Sequence, residues 1–315
     1  DCQLAADGLA MGCLGEELML QSAEGRKQTR TFPASSSPAP RTKPTEALLQ
    51  GRGAAPARWV LGRGEFAAWV AANGQLAVLG KAGLRLLDLG SIQVLAAAPD
   101  AEKLGLLLDQ SGQSALAVLD GENVIKIPTE SKSLRALAFS PDGSLLVMGD
   151  AAGVLYTLDA SRLEAPSLLG RAPVGAVQSL AFSSDHREIL SLGSKGAAIT
   201  DVSARSSRPL PSLPEDASCG AFSRSGRALV IGTKSGEILL FDRDSNQLQR
   251  VSSGAPGIFQ CVRVPSEDRF LFASTDGSTW SETFDLRAIW MLPDPDDPKL
   301  GAPEPWRGLT LAHQN

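Results

Sequence analysis

SLRALAFSPDGSLLVMGDAAGVLYTLD, residues 133–159, is the stretch on which the fold turns. An apolar run ends at Phe139, and Asp142-Gly143 supplies a tight turn. A second apolar run follows, residues 149–153 turn the chain again, and a third run closes on Asp159. Alternating runs bounded by residues that tolerate positive φ predict three antiparallel strands in a meander.

The same pattern recurs. The clearest copies end their first strand at Phe139, Phe182 and Phe222, with fainter ones at Ala97 and Val264, spaced 42, 43, 40 and 42 residues apart. Each copy continues as apolar strand, small residue, Gly-containing turn, apolar strand and Asp, the Asp falling at Asp159, Asp201, Asp242 and Asp285. About 15 residues then remain before the next copy, enough for a fourth strand, with candidates at 123–127, 167–169 and 247–251. A four-strand unit of roughly 40–45 residues is the period of a propeller blade. One such unit cannot bury both of its faces, so units must stack on one another.

Working towards the N-terminus, residues 58–89 make a compact unit with very short turns, and the segment after Leu4 resembles the central unit again. The expected fold is therefore all-β: one β-propeller domain over 1–315, of seven four-stranded blades. Its ring would be closed by a C-terminal strand at 308–312 returning to the N-terminal blade, which hides the open sheet edges. A Pro/Ser-rich segment at 32–45 reads as an insertion between blades, and residues 293–305 as a Pro-rich traverse after a last strand at 290–292.

Composition suits this reading: 43% apolar, 21% charged, 31 Gly and 20 Pro among 315 residues. A net charge of −5 argues against a general nucleic-acid surface, so no nucleic acid is expected as a partner. No run of about 18 apolar residues exists, and no membrane span is expected. The four cysteines form no CxxC and read as small buried hydrophobes, which points to a reducing, cytoplasmic setting. The chain begins at Asp1, as expected of a processed chain or of a segment of a longer polypeptide.

The AFSPDG segment at 138–143, AFSSDH at 181–186, AFSRSG at 221–226 and ILLFD at 238–242 resemble the WD-repeat family of β-propellers. The resemblance implies a ring of blades around a central channel, used as a rigid platform for binding other proteins. Phe241 stands where the family places its Trp, and the family's Gly-His dipeptide is missing throughout. The family's buried His-to-Trp hydrogen-bond network therefore cannot form. Stability must come from apolar packing between blades, roughly 1.5–3 kcal/mol per fully buried Leu, Ile or Phe. In the family's geometry, the residue entering the innermost strand and the loop between the second and third strands both face the top. The entry positions here are Gln93, Arg135, Gln178, Ser218 and Gln260. The loop positions are Lys81, Asp150, Lys195, Lys234 and Asp276. Together they make a polar, mildly basic candidate surface.

Catalytic signals are weak. His186 falls in an expected hairpin turn and His313 lies three residues from the end. No nucleophile elbow, phosphate loop or HExxH helix occurs. Asp294, Asp296 and Asp297 lack the Gly and the further ligands of a calcium loop. Asp159, Asp201, Asp242 and Asp285 fall one per unit and read as acceptors for backbone N–H groups in Asx-type turns. The expected function is a non-catalytic scaffold or adaptor that binds a peptide or partner domain on the top face or channel mouth, without a cofactor or metal. The alternatives are a regulatory or sensor segment of a larger protein, or an enzyme or ligand-binding propeller with a central-channel site.

Overall fold

Strands built almost wholly of Leu, Val, Ile and Ala, such as LLVMG, cannot leave either face in water. The computed structural model shows where both faces go. It describes residues 74–250 almost throughout (81–82, 99–101, 211–212 and 215 excepted), and outside that span strand segments between 2 and 70 and between 251 and 283, mainly as backbone. The insertion at 32–45, the traverse at 293–305, the strands expected at 290–292 and 308–312, Lys81, Asp276, Asp285, the PDPDDP acids and His313 lie outside the described residues.

The structure is all-β, with no helix among the described residues. The described strands form six four-stranded antiparallel sheets and one three-stranded sheet, each in sequence order. The sheets span residues 2–31, 59–87, 91–127, 134–171, 177–210, 217–251 and 259–283. The predicted meander is the fourth sheet, with strands Leu134–Phe139, Leu145–Asp150 and Val154–Asp159 joined by Ser167–Arg171. The expected fourth strands Asn123–Ile127 and Gln247–Val251 close the third and sixth sheets. First strands of consecutive sheets lie side by side, and the first strand of the first sheet also lies beside the first two strands of the seventh.

Burial explains the composition. Along Leu145–Asp150, Leu146 and Met148 join a core shared with the third sheet, while Val147 joins a core shared with the fifth. Similar cores lie between the second and third sheets and between the fifth and sixth. Successive side chains of a strand point to opposite faces, so a sheet covered on both sides reads as a continuous apolar run. Fourth strands lack this second cover: in Ser167–Arg171 only Leu169 is buried. Phe241, at the family's Trp position, is fully buried against Phe222 and its neighbours in the core between the fifth and sixth sheets.

The glycine near the end of the fourth sheet's second strand has a steric origin. A Cβ placed on Gly149 would lie 2.6 Å from Val177 Cγ1, on the first strand of the next sheet. The turn between first and second strands repeats as closely. Ser140, Ser183 and Ser223 are buried, and their hydroxyls accept the N–H of Leu145, Glu188 and Ala228 at 2.9, 2.9 and 3.0 Å. Gly143, His186 and Gly226 occupy the same left-handed position in this turn, at φ 69°, 63° and 74°. His186 is thus a turn residue, as expected from SSDHRE.

Two substitutions test this packing with opposite signs. Gly149→Ala is expected to destabilise by about 1–3 kcal/mol, because β-branched Val177 has no free rotamer into which to retreat. Ser191, fully buried between Leu180 and Ala198 in the ladder, has a hydroxyl with no hydrogen-bond partner. Ser191→Ala is expected to stabilise by about 1 kcal/mol. Denaturant unfolding of both variants reads the two shifts.

Candidate functional site

One backbone irregularity recurs where the first strands begin. Leu134 pairs with Asp150 and Ala136 with Gly149, which leaves Arg135 as the extra residue of a β-bulge. Gln93, Gln178, Ser218 and Gln260 occupy the same extra position in the third, fifth, sixth and seventh sheets. A bulge bends its strand and re-aims the side chain of the unpaired residue. All five strand-entry positions singled out from the sequence are these bulge residues. The loops between second and third strands lie at the same end: Ser194 N–H donates to Ala176 O, and Lys234 N–H to Asp216 O. This end is called the entry face below.

The side chains divide. Arg135, Gln178, Lys195 and Lys234 are exposed. Gln93 is half-buried and donates through Nε2 to Asp109 Oδ2 at 3.1 Å. Ser218 is half-buried and donates to Gly232 O at 3.0 Å. Asp150 is not a surface group: it is 5% exposed, and Oδ1 accepts the N–H of Ala152 and Val154 at 2.8 and 2.9 Å while Oδ2 accepts the Ser131 hydroxyl at 3.1 Å. Its carboxylate anchors a turn. Lys81, Asp276 and the side chain of Gln260 lie outside the described residues.

Between the third and fourth sheets the entry face opens into a cleft of about 390 Å³. It is lined by Gln93, Val94, Gly112 and Ser114 from one side and by Lys132, Ser133, Leu134 and Arg135 from the other. Buried Ser114 fixes the second wall. Its N–H donates to Lys132 O at 2.9 Å, and its hydroxyl accepts Leu134 N–H at 2.7 Å. Asp109 fixes the first, taking Gly112 N–H at 2.8 Å besides the Gln93 amide. Among the described residues, the titratable groups that line the cleft are two cations, Lys132 and Arg135, beside the polar groups of Gln93, Ser114 and Ser133. The strand-entry rule found Gln93 and Arg135 but not Lys132 or Ser114, which fall outside the repeat frame. The signal for Ser114 is its place just after the Asp109 to Gly112 turn.

The recurrent aspartates lie on the opposite face. Asp159 Oδ1 accepts Ser161 N–H at 2.9 Å, Asp201 Oδ1 accepts Ser203 and Ala204 N–H at 2.8 and 2.7 Å, and Asp242 Oδ1 accepts Asp244 N–H at 2.8 Å. The Ser161 hydroxyl and amide hold Asp159 below the usual carboxylate range, and the Ala204 amide, with Ser203, does the same for Asp201. These are turn anchors, as the Asx-turn reading expected. Among the described residues no group of three His, Cys, Asp or Glu is placed to hold a metal ion.

Asp142 sits at a junction of sheets, 3.2 Å from His186 Nδ1 of the fifth. Burial works against its ionisation, but the Ser140 hydroxyl, the Ser144 amide and hydroxyl and His186 together pull its pKa down to about 2. A carboxyl with a depressed folded pKa adds stability above its unfolded value, near 4, and loses it as pH falls through the folded value. Asp142→Asn keeps the shape and removes the charge. It is expected to cost about 1 kcal/mol at pH 6, a value reduced for solvent screening because the side chain is half-exposed. The gap to wild type should close between pH 4 and pH 2 in denaturant titrations.

Against known proteins, the chain matches no family model and no curated protein sequence.

Proposed function

We propose that the chain is a seven-bladed β-propeller of the WD-repeat kind, and that its entry face is a non-catalytic platform for a peptide or partner domain. The ring is supported by apolar cores between consecutive sheets and by the contact of the first sheet with the seventh. Such a ring brings all strand entries to one side of the molecule and gives them a common rigid base. The analogy with other propellers supplies the role, because fold alone does not fix function.

The observation that carries the reading is the five-fold bulge. A fold stabilised by apolar contact between sheets has no need of an interrupted ladder at the same place in five successive units, each with a polar residue in it. Bulges at rims aim side chains outward and serve contact. Rigid backbone below and exposed polar side chains above keep the ordering cost of binding low.

The test is capture by the full 315-residue chain carrying Arg135→Glu, Lys195→Glu and Lys234→Glu, compared with a control carrying Arg187→Glu and Arg224→Glu on the opposite face. The entry-face variant is expected to lose its partners by tenfold or more, at least about 1.4 kcal/mol, with its melting temperature unchanged. The control should retain them. Retention of every partner by the entry-face variant would overturn the reading.

A further inference from the structure

We propose that the cleft between the third and fourth sheets is a docking site for an acidic, extended peptide segment, with Lys132 and Arg135 receiving its carboxylates. This deepens the platform reading above and rests on it.

The charges of the two faces are arranged differently. On the face opposite the strand entries, Lys103, Arg162, Arg187, Arg227 and Arg243 each have a carboxylate within 4 Å. On the entry face Lys132, Arg135, Lys195 and Lys234 are exposed, and among the described residues none of these four forms an ion pair, although Arg250 pairs with Glu237 at this end of the sixth sheet. The acids beside them are spent within the fold. Asp150 is buried in its turn, Asp109 holds Gly112 and Gln93, and Asp216 accepts the Ser235 hydroxyl at 2.8 Å. The structure therefore withdraws Asp150 from among these cations, where the sequence alone had interspersed it with Asp276, which lies outside the described residues. Glu130 is exposed two residues before Lys132 and pairs with neither cation. A chain of net charge −5 thus keeps two exposed cations on one wall of its cleft.

Geometry selects the form of the ligand. Lys132 and Arg135 stand three residues apart on a wall that Ser114 pins through Lys132 O and Leu134 N–H. The cations project from ordered backbone, so docking orders two side chains and no loop. An extended peptide places alternate side chains about 6.6 Å apart on one face, a spacing that lets two carboxylates meet two neighbouring cations. A nucleic acid is less well served, because no aromatic side chain lines the cleft to stack a base.

The probe is a fluorescein-labelled decapeptide of alternating Glu and Val, with its Gln-Val counterpart, titrated by anisotropy against the full chain at about 50 mM salt. The acidic peptide is expected to bind at least tenfold tighter than the Gln form. Lys132→Glu/Arg135→Glu should lose that preference, while Arg187→Glu/Arg224→Glu keeps it. Glu130→Gln is expected to gain about two- to threefold, a direction that loss of folding cannot mimic. Equal binding of the two peptides, or wild-type binding by the Lys132/Arg135 variant, would overturn the proposal. So would an oligo-dT decamer that binds tighter than the acidic peptide. If the acidic peptide fails while the Arg135/Lys195/Lys234 variant still loses captured partners, the acidic ligand is rejected and the platform stands. If neither binding nor capture depends on these residues, both fall.

Discussion

Burial of both faces of the central sheets is the constraint on which the rest depends. A lone four-stranded antiparallel sheet with Leu, Val and Ile on both faces has no stable existence in water. Each sheet between the second and the sixth solves this by sharing one core with the sheet before it and another with the sheet after it. Gly149 against Val177 and the fully buried Phe241 both follow from that close approach. Polar connections then lock neighbouring sheets at the periphery. Arg85 reaches Gly121 O, Lys103 reaches Ala160 O, and Arg243 reaches Glu188 while lying over the Phe222 ring.

Under the proposed function, a stack of this kind separates stability from recognition. Cores between sheets run through the middle of the strands, and the turn serines and aspartates of the opposite face satisfy local backbone N–H groups. The entry face carries the recurrent departures from regular pairing, the five bulges, together with the cleft and the exposed cations. Departures from local regularity that cost pairing without adding packing are where function is expected. Ser191 is the exception on the other side, a buried polar group in a strand where the fourth and sixth sheets place Met148 and Ile231.

Much of the fold was legible because the repeat is local. The AFSPDG motif holds the buried turn serine, the anchoring Asp and the left-handed Gly in six consecutive residues, so its recurrence marked the fourth, fifth and sixth sheets. The recurrent Asp was legible for the same reason, since its partners lie two or three residues ahead of it. What was not legible depends on cross-strand register. The entry positions could be aligned, but that Arg135 and Gln178 are bulge residues follows only from which residues face them on the second strand. Asp150 looked like a loop acid and is a buried anchor, because Ser131, nineteen residues earlier, comes back to meet it. Lys132 was missed because its place in the cleft is set by Ser114 of the neighbouring sheet, and no repeat within one unit encodes a contact between two.

Closure of the ring is the central claim, since it turns seven successive strand entries into one face. The most direct measurement is the distance between spin labels at Gln3→Cys, in the first strand of the first sheet, and Gln260→Cys, in the first strand of the seventh, on a background with the native cysteines replaced. A closed ring predicts a single short distance, within about 20 Å once the label tethers are included, since facing sheets pack about 10 Å apart. An open row of seven sheets at that spacing would separate the labels by about 60 Å, and a distance of that order would contradict the account.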